Sequence, residues 1–315
     1  MTEPSLDKLI WDYLEDLEIR GRSALTARNY GRYLRTFAGW LASATGKDEP
    51  DLAPADVDEE RLRQFRLFLA RRRDPRSGQI ITAATRNLHL IGLRTFLRYC
   101  RRRRKILTLP DPDDVLELAK QRDATVKHLE REEALRIAGA IELDAENGLR
   151  DRAIVETLFG TGVRVSELVS MTIRQVSWER REAEVVGKGG KARLVVLTDE
   201  AAYWIKRYVE TRSDDSSWLF ISRRRDDDGG FRALTVRQVQ RIVDRAAHRA
   251  GIPFRVSPHF FRHSRLLLLT RFGGVHLAQR VAGHASLSTT SKYLKVTDEH
   301  LKRAFDQAYR AERGE

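Results

Sequence analysis

The chain has 315 residues and carries 58 Lys and Arg against 45 Asp and Glu, a formal net charge of +13. That length accommodates two domains with separate cores, and the cationic excess points to a polyanionic partner, DNA or RNA, ahead of an anionic membrane surface. The single cysteine, Cys100, excludes an internal disulfide and suits a reducing compartment. No apolar run approaches the roughly 20 residues of a membrane span. The opening MTEPSLDKLI lacks a basic stretch followed by an apolar core, so no secretion signal is expected and the chain reads as soluble and intracellular.

The first hundred residues read as helices. Ser23 fits an N-cap, and after it Tyr30, Leu34, Phe37 and Leu41 recur at three- and four-residue steps. A third helix is expected from Glu59 to Arg72, ended by the Asp74-Pro75 turn signal. The fourth carries Leu90, Leu93, Leu97 and Cys100 on one stripe, with Arg94, Arg98 and Arg101 on a flanking stripe. Such a helix can pack into a bundle on one side and meet phosphates on the other, or simply show a solvated charged face. The cluster Arg101 to Lys105 then runs into Pro110 and Pro112 within an acidic stretch, which breaks the helix and reads as a linker.

Beyond the linker, helical patterns at about 130–140 and 148–159 lead to Gly160-Thr161-Gly162. Short strand-like runs follow at Gln175–Trp178, Ala183–Val186 and Arg193–Leu197, the last two joined by the glycine-rich turn Gly187-Lys188-Gly189-Gly190-Lys191. From about 199 helices are expected to dominate to the end. The expected fold is therefore mainly α in two domains: a helical N-terminal bundle over 1–106, a linker over 107–126, and an α-rich domain with a small antiparallel β-sheet over 127–315.

Phosphoryl transfer needs cations around the non-bridging oxygens, a nucleophile, and a proton donor for the leaving oxygen. Four separated segments offer these. In TGVRVSEL, Arg164 stands near a helix start with Glu167 one turn on, able to brace it. In GKGGK, Lys188 has the reach of a general acid, and Lys191 competes for that role. In SPHFFRH, Pro258 opens a helix that puts His259 and Arg262 one turn apart on one face. A metal reading of His259 and His263 lacks a following Glu and any Cys or carboxylate cluster nearby. In AGHASLSTTSKY, Tyr293 lies nine residues beyond His284. Each segment alone is unremarkable.

In this order and spacing, the four segments resemble the tyrosine recombinase, or lambda-integrase, family, and within it the Xer branch. The matching residues are Arg164, Lys188, His259, Arg262, His284 and Tyr293, with Glu167 as the acid supporting the first arginine. The resemblance implies that 1–106 is a core-binding DNA-binding domain and 127–315 the catalytic domain, ending in an oligomerisation helix at about Thr297 to Arg310, with Leu301, Phe305 and Ala308 on one stripe. It implies that Arg164 and Arg262 clamp the scissile phosphate and Tyr293 attacks it, with His259 as base, Lys188 as acid and His284 as a phosphate hydrogen-bond donor. No ATP, metal or other cofactor is called for.

The implied partners are double-stranded DNA with inverted-repeat sites and three further protomers, or a second paired recombinase, with an accessory protein in some cases. Cytoplasmic, nucleoid-associated action follows. A type IB topoisomerase, a telomere resolvase and a non-catalytic DNA-binding regulator are the rival readings. Two departures stand out: Arg265 followed by four leucines after Arg262, and a segment from Arg262 to His284 about one residue shorter than in many relatives.

Overall fold

The computed structural model describes residues 4–75, 77–104, 110–120, 128–187, 190–225 and 229–283. Its contacts divide the chain into two units, Met1–Ala124 and Thr125–Glu315.

In the first unit every long helix starts at a side-chain oxygen that accepts one of the otherwise unpaired N–H groups of its first turn. Ser5 caps α1 (Leu6–Ile19), Ser23 caps α2 (Ala24–Thr45), Asp58 caps α3 (Glu59–Arg71) and Thr82 caps α4 (Ala83–Tyr99). The stripe expected on α2 faces inward: Leu34, Phe37 and Leu41 are fully buried, and Tyr30 packs at their margin. Phe37 meets Phe65 of α3 edge-on at 5.0 Å between ring centres. Burial of each such side chain stabilises by about 1.5–3 kcal/mol. Leu90, Leu93, Leu97 and Cys100 close the core from α4, whose last turn widens into a π-helical turn at Cys100–Arg104.

The acidic stretch expected as linker is in part a docked element. Its one-turn helix α5 (Pro112–Val115) lies against the arginine stripe of α4. Arg94 pairs with Asp113 at 2.9 Å and donates to the Leu116 carbonyl at 2.9 Å. Arg98 pairs with the same Asp113, and Arg101 with Asp111 at 3.5 Å. Asn87 and Ala119 exchange two hydrogen bonds of 2.9 Å, so the chain stays bound to this unit as far as Ala119.

The second unit is built around α7 (Gly148–Thr161), with Ala153, Ile154, Val155 and Leu158 fully buried. It packs against α6 (Arg131–Gly139) and α9 (Asp199–Glu210), and none of its residues is exposed: Thr157 and Thr161 return their hydroxyls to carbonyls four residues back, at 2.6 Å each. The short α8 (Val165–Val169) follows, then an antiparallel sheet of β1 (Val176–Ser177), β2 (Glu182–Val186) and β3 (Ala192–Val196) in that order. Val185 stands opposite Arg193 across the β2–β3 pair.

Past α9 the chain does not stay helical. A second antiparallel pair, β4 (Ile221–Arg225) and β5 (Phe231–Ala233), precedes α10 (Val236–Arg249). Its strands read ISRRR and FRA, with half of their residues exposed, so no apolar alternation announces them.

The last described helix, α11 (Pro258–Ala282), is two helices joined at a break. Gly274 sits at φ 73°, ψ 173°, a region essentially restricted to glycine. In a continuous helix, residues 262 and 282 would stand about 30 Å apart at 1.5 Å per residue. Instead the Arg262 guanidinium donates to the Ala282 carbonyl at 2.7 Å. The chain therefore turns back at the break, and Ala278 and Ala282 pack on Leu266 and Leu269. That explains two of the four leucines after Arg265. Leu268 is more exposed, and Phe272 just before the break is 85% exposed. Ser264 holds the start of the unit, its hydroxyl accepting from Leu129 N at 2.8 Å and donating to Leu129 O at 2.7 Å.

Among the described residues, no helix is long and apolar enough to cross a membrane.

Candidate active site

Arg164 occupies the N-cap of α8, and Glu167 three residues later turns back onto it. Glu167 Oε2 accepts from the Arg164 backbone N–H and Oε1 from its guanidinium, both at 2.8 Å. Arg193 of β3 approaches the same carboxylate as a fork, with two further bonds of 2.8 Å. Burial alone would raise the Glu167 pKa, but the hydrogen bonds from Arg193 and Arg164 outweigh it and hold the carboxyl at about 2. At 2% exposure this is a buried carboxylate shared by two guanidiniums, an arrangement that fixes the planes of both. The sequence offered Glu167 as the brace of Arg164 but gave no sign of Arg193, which only strand pairing brings across from β3.

Arg193 also donates through Nε to the Val281 carbonyl at 3.1 Å. Arg262, 5% exposed, donates to the Gly162 carbonyl and to the Ala282 carbonyl at 2.7 Å each. Two arginines thus grip successive carbonyls at the end of α11, where the chain leaves for His284 and Tyr293. Gly162 is the left-handed C-cap of α7 at φ 65°, and a Cβ there would stand 3.1 Å from the Arg265 side chain. A side chain at this position would meet both a backbone cost of about 1–2 kcal/mol and crowding.

His259 lies one turn before Arg262 on the first turn of α11. Burial, then the positive charges of Arg262 and Arg164, push its pKa below the ordinary 6.5. At neutral pH the imidazole is therefore uncharged and able to accept a proton. Arg164, His259 and Arg262 share one electrostatic neighbourhood, with Glu167 and Arg193 behind Arg164. His263 stands 6.4 Å from His259 between ring centres. Among the described residues, no group of three or more His, Cys, Asp or Glu is placed to hold a metal ion. Lys188, His284, Tyr293 and the helix expected at Thr297 to Arg310 lie outside the described residues. Lys191 is exposed, and its carbonyl accepts from Gly187 N at 2.9 Å across the turn. Arg94, Arg98 and Arg101 belong to the first unit and are engaged there by Asp111 and Asp113.

The chain can be set beside known proteins on this geometry. Residues 127–300 match the Phage integrase family, and residues 10–104 match the Phage integrase, N-terminal SAM-like domain. Tyrosine recombinase XerC of Pelobacter propionicus is 32% identical over 294 residues, covering 92% of this chain and 91% of the relative. Tyrosine recombinase XerA of Pyrococcus furiosus is 32% identical over 311 residues, covering 98% and 96%. Among solved structures, XerH site-specific recombinase bound to palindromic difH substrate in a post-cleavage complex gives a TM-score of 0.67 at 21% identity, over 90% of this chain and 80% of that one. A lambda integrase tetramer bound to a Holliday junction gives 0.67 at 19% identity, over 93% and 78%. At these identities the solved structures speak for the fold, which has the same mainly helical build with a small antiparallel sheet. The chain belongs to the phage integrase family of tyrosine recombinases, enzymes that cleave and rejoin DNA strands.

Proposed function

We propose that the chain is a site-specific recombinase that breaks and rejoins double-stranded DNA through a 3′-phosphotyrosyl bond at Tyr293. The observation that carries this reading is the cluster of Arg164, His259 and Arg262, two guanidiniums and a neutral imidazole, with Glu167 and Arg193 fixing the first arginine. Two guanidiniums on the non-bridging oxygens stabilise the charge that builds up on the scissile phosphate. His259 takes the proton of the tyrosine hydroxyl as its oxygen attacks phosphorus. The bond from phosphorus to the 5′-oxygen breaks, and Lys188 supplies the proton that leaves a 5′-hydroxyl. His284 hydrogen-bonds the phosphate. One phosphodiester is exchanged for another, so the step needs no nucleotide hydrolysis, and the reverse reaction with a different 5′-hydroxyl completes strand exchange.

The N-terminal SAM-like match and the Xer relatives across nearly the whole chain favour recombination over a topoisomerase, a telomere resolvase or a non-catalytic regulator. Exchange between two sites calls for four protomers on paired inverted repeats and a Holliday junction. The complex is a homotetramer or a pair of recombinases, with an accessory protein where one is required. This is a cytoplasmic activity on nucleoid DNA.

Covalent capture tests the reading. The protein is mixed with fragmented DNA of its source, quenched with detergent, and the protein-linked DNA is sequenced. Adducts gathered at an inverted-repeat site in the wild type and lost in Tyr293→Phe are the expected result. Adducts that persist in Tyr293→Phe would show that another residue is the nucleophile. The pH profile gives a second check. Since the neutral form of His259 persists below 6.5, single-turnover cleavage should hold through that pH and decline only in more acid solution. A limb falling at or above 6.5 would remove His259 from the role of base.

A further inference from the structure

The second unit holds a recess, none of whose lining residues belongs to the Arg164, His259 and Arg262 cluster. Its walls are the segment from Ile141 to Asp151, strand β4 and helix α10, and it encloses about 470 Å³. Sites for small ligands run from roughly 300 to 1,000 Å³. The floor is apolar, with Ile141, Leu234, Ile242 and Ala246 buried there.

The walls carry six arginines against three acids. Each acid is already taken: Arg249 pairs with Glu142 at 3.3 Å, Arg223 with Glu146, and Arg150 with Asp151 at 2.8 Å. Arg224, Arg241 and Arg245 form no ion pair among the described residues. Burial raises the Asp151 pKa while Arg150 and then Arg245 pull it down, so the charge of Arg245 is felt there although its guanidinium is not paired. Arg241 and Arg245 stand one turn apart on α10 and line the recess together. A row of exposed arginines is by itself an ordinary solvated face. This row differs in bordering a concave, partly apolar space, where the field of unpaired cations is focused. Asn147 adds a polar edge. It is half-buried before α7, and its side-chain amide neither caps that helix nor makes another hydrogen bond among the described residues.

We propose that this recess binds a purine nucleoside polyphosphate, with the phosphates on Arg241 and Arg245 and the base on the apolar floor beside Asn147. Guanidiniums match phosphate oxygens two at a time and also stack on planar rings. An asparagine amide matches the donor and acceptor on the outer edge of adenine. A duplex is the competing polyanion, but it presents its phosphates from a convex surface and would meet only the rim, leaving the floor and Asn147 without a partner. The bound nucleotide is not consumed by strand exchange. It would tie α10, which packs on α8 and α11, to the segment that opens α7.

Calorimetric titration of the full chain with ATP, without divalent ions and near about 0.1 M salt, tests the site. Saturable one-to-one binding is expected. Adenosine and inorganic tripolyphosphate should each bind at least about tenfold more weakly, because each meets only part of the recess. Arg241→Gln/Arg245→Gln should weaken ATP by at least about tenfold, and Arg241→Lys/Arg245→Lys should recover part of the loss. Arg237→Gln, on the same helix but outside the recess, should keep the wild-type affinity. Since Arg241 and Arg245 are exposed, the double glutamine variant should melt with the wild type when ligand-free and should form the same Tyr293-dependent DNA adducts. ATP should raise the melting temperature of the wild type and not of that variant. No ATP binding by the folded wild type, tripolyphosphate as tight as ATP, or unchanged affinity in the double glutamine variant would each overturn the site. So would ATP displaced by a short random duplex together with loss of adducts in that variant, which would give these arginines to DNA. Adduct formation by the wild type is read separately, so failure of the nucleotide site leaves the recombinase reading standing.

Discussion

Glu167→Ala is expected to lower the stability of the second unit by about 3–5 kcal/mol and to abolish strand cleavage. The carboxylate is the common partner of Arg164 and Arg193, so its loss leaves two half-buried guanidiniums facing one another without a counter-charge. Glu167→Gln keeps the shape but not the charge and should fall nearly as far. The pH dependence identifies the cause. With the folded pKa depressed from 4.5 to about 2, the charged carboxylate contributes its full share above 4.5, about 3 kcal/mol at 1.4 kcal/mol per unit. That share is lost as pH falls through about 2. Denaturant unfolding at pH 7 and pH 3 should show the wild-type advantage shrinking by about half or more at the lower pH. An advantage below about 1 kcal/mol at pH 7, or one unchanged at pH 3, would mean that solvent screens the network and that the depressed pKa reflects little energy.

Arg262→Lys carries the second large effect. The guanidinium is 5% exposed and spans two carbonyls on separate segments, Gly162 after α7 and Ala282 at the end of α11. An ammonium keeps the charge but loses the planar fork that fits both acceptors and, in the proposed mechanism, also meets the phosphate. One carbonyl left unpaired costs about 1–3 kcal/mol of stability, and loss of an aligned donor to the transition state costs about 10²–10³ in cleavage rate. Rapid-quench cleavage beside DNA affinity separates the two, since binding through the rest of the protein should change little. A lysine variant with wild-type cleavage would show that charge alone is required there.

Much of the fold is legible in the residues. The inward stripe of α2, the cap at Ser23, the strand positions near 176, 183 and 193, and the proline-led start of α11 all follow from local pattern. The β4–β5 pair does not, because its strands carry exposed arginines and no alternating apolar residues. Nor does Arg193: a charged residue on a strand looks solvated until the partner strand and α8 place a carboxylate against it. The break in α11 hides for a similar reason. Gly273-Gly274 inside an apolar run is compatible with a continuous helix, and only tertiary contacts, the Arg262 bond to the Ala282 carbonyl and the packing of Ala278 on Leu266, show the reversal. The arginines of α4 look free in sequence because the acids that meet them lie fifteen or so residues on, across prolines. Residue spacing by itself puts only His259 and Arg262 on one face; Arg164 joins them through the family resemblance, and the bonds that hold these arginines are visible only in the fold.

The reversal at Gly274 also separates length from direction. In an unbroken helix, deleting one residue between Arg262 and His284 would rotate everything downstream by about 100° and draw it back about 1.5 Å. Here the two arms of α11 meet at Gly274 with its positive φ, and the far arm is registered by Arg262 on the Ala282 carbonyl and Arg193 on the Val281 carbonyl. Rotational phase is set at the end of the hairpin and not carried along it. A residue lost or gained between Arg262 and Ala282 would be absorbed at the bend, so spacing along the chain is a poor ruler for where this end of α11 lies.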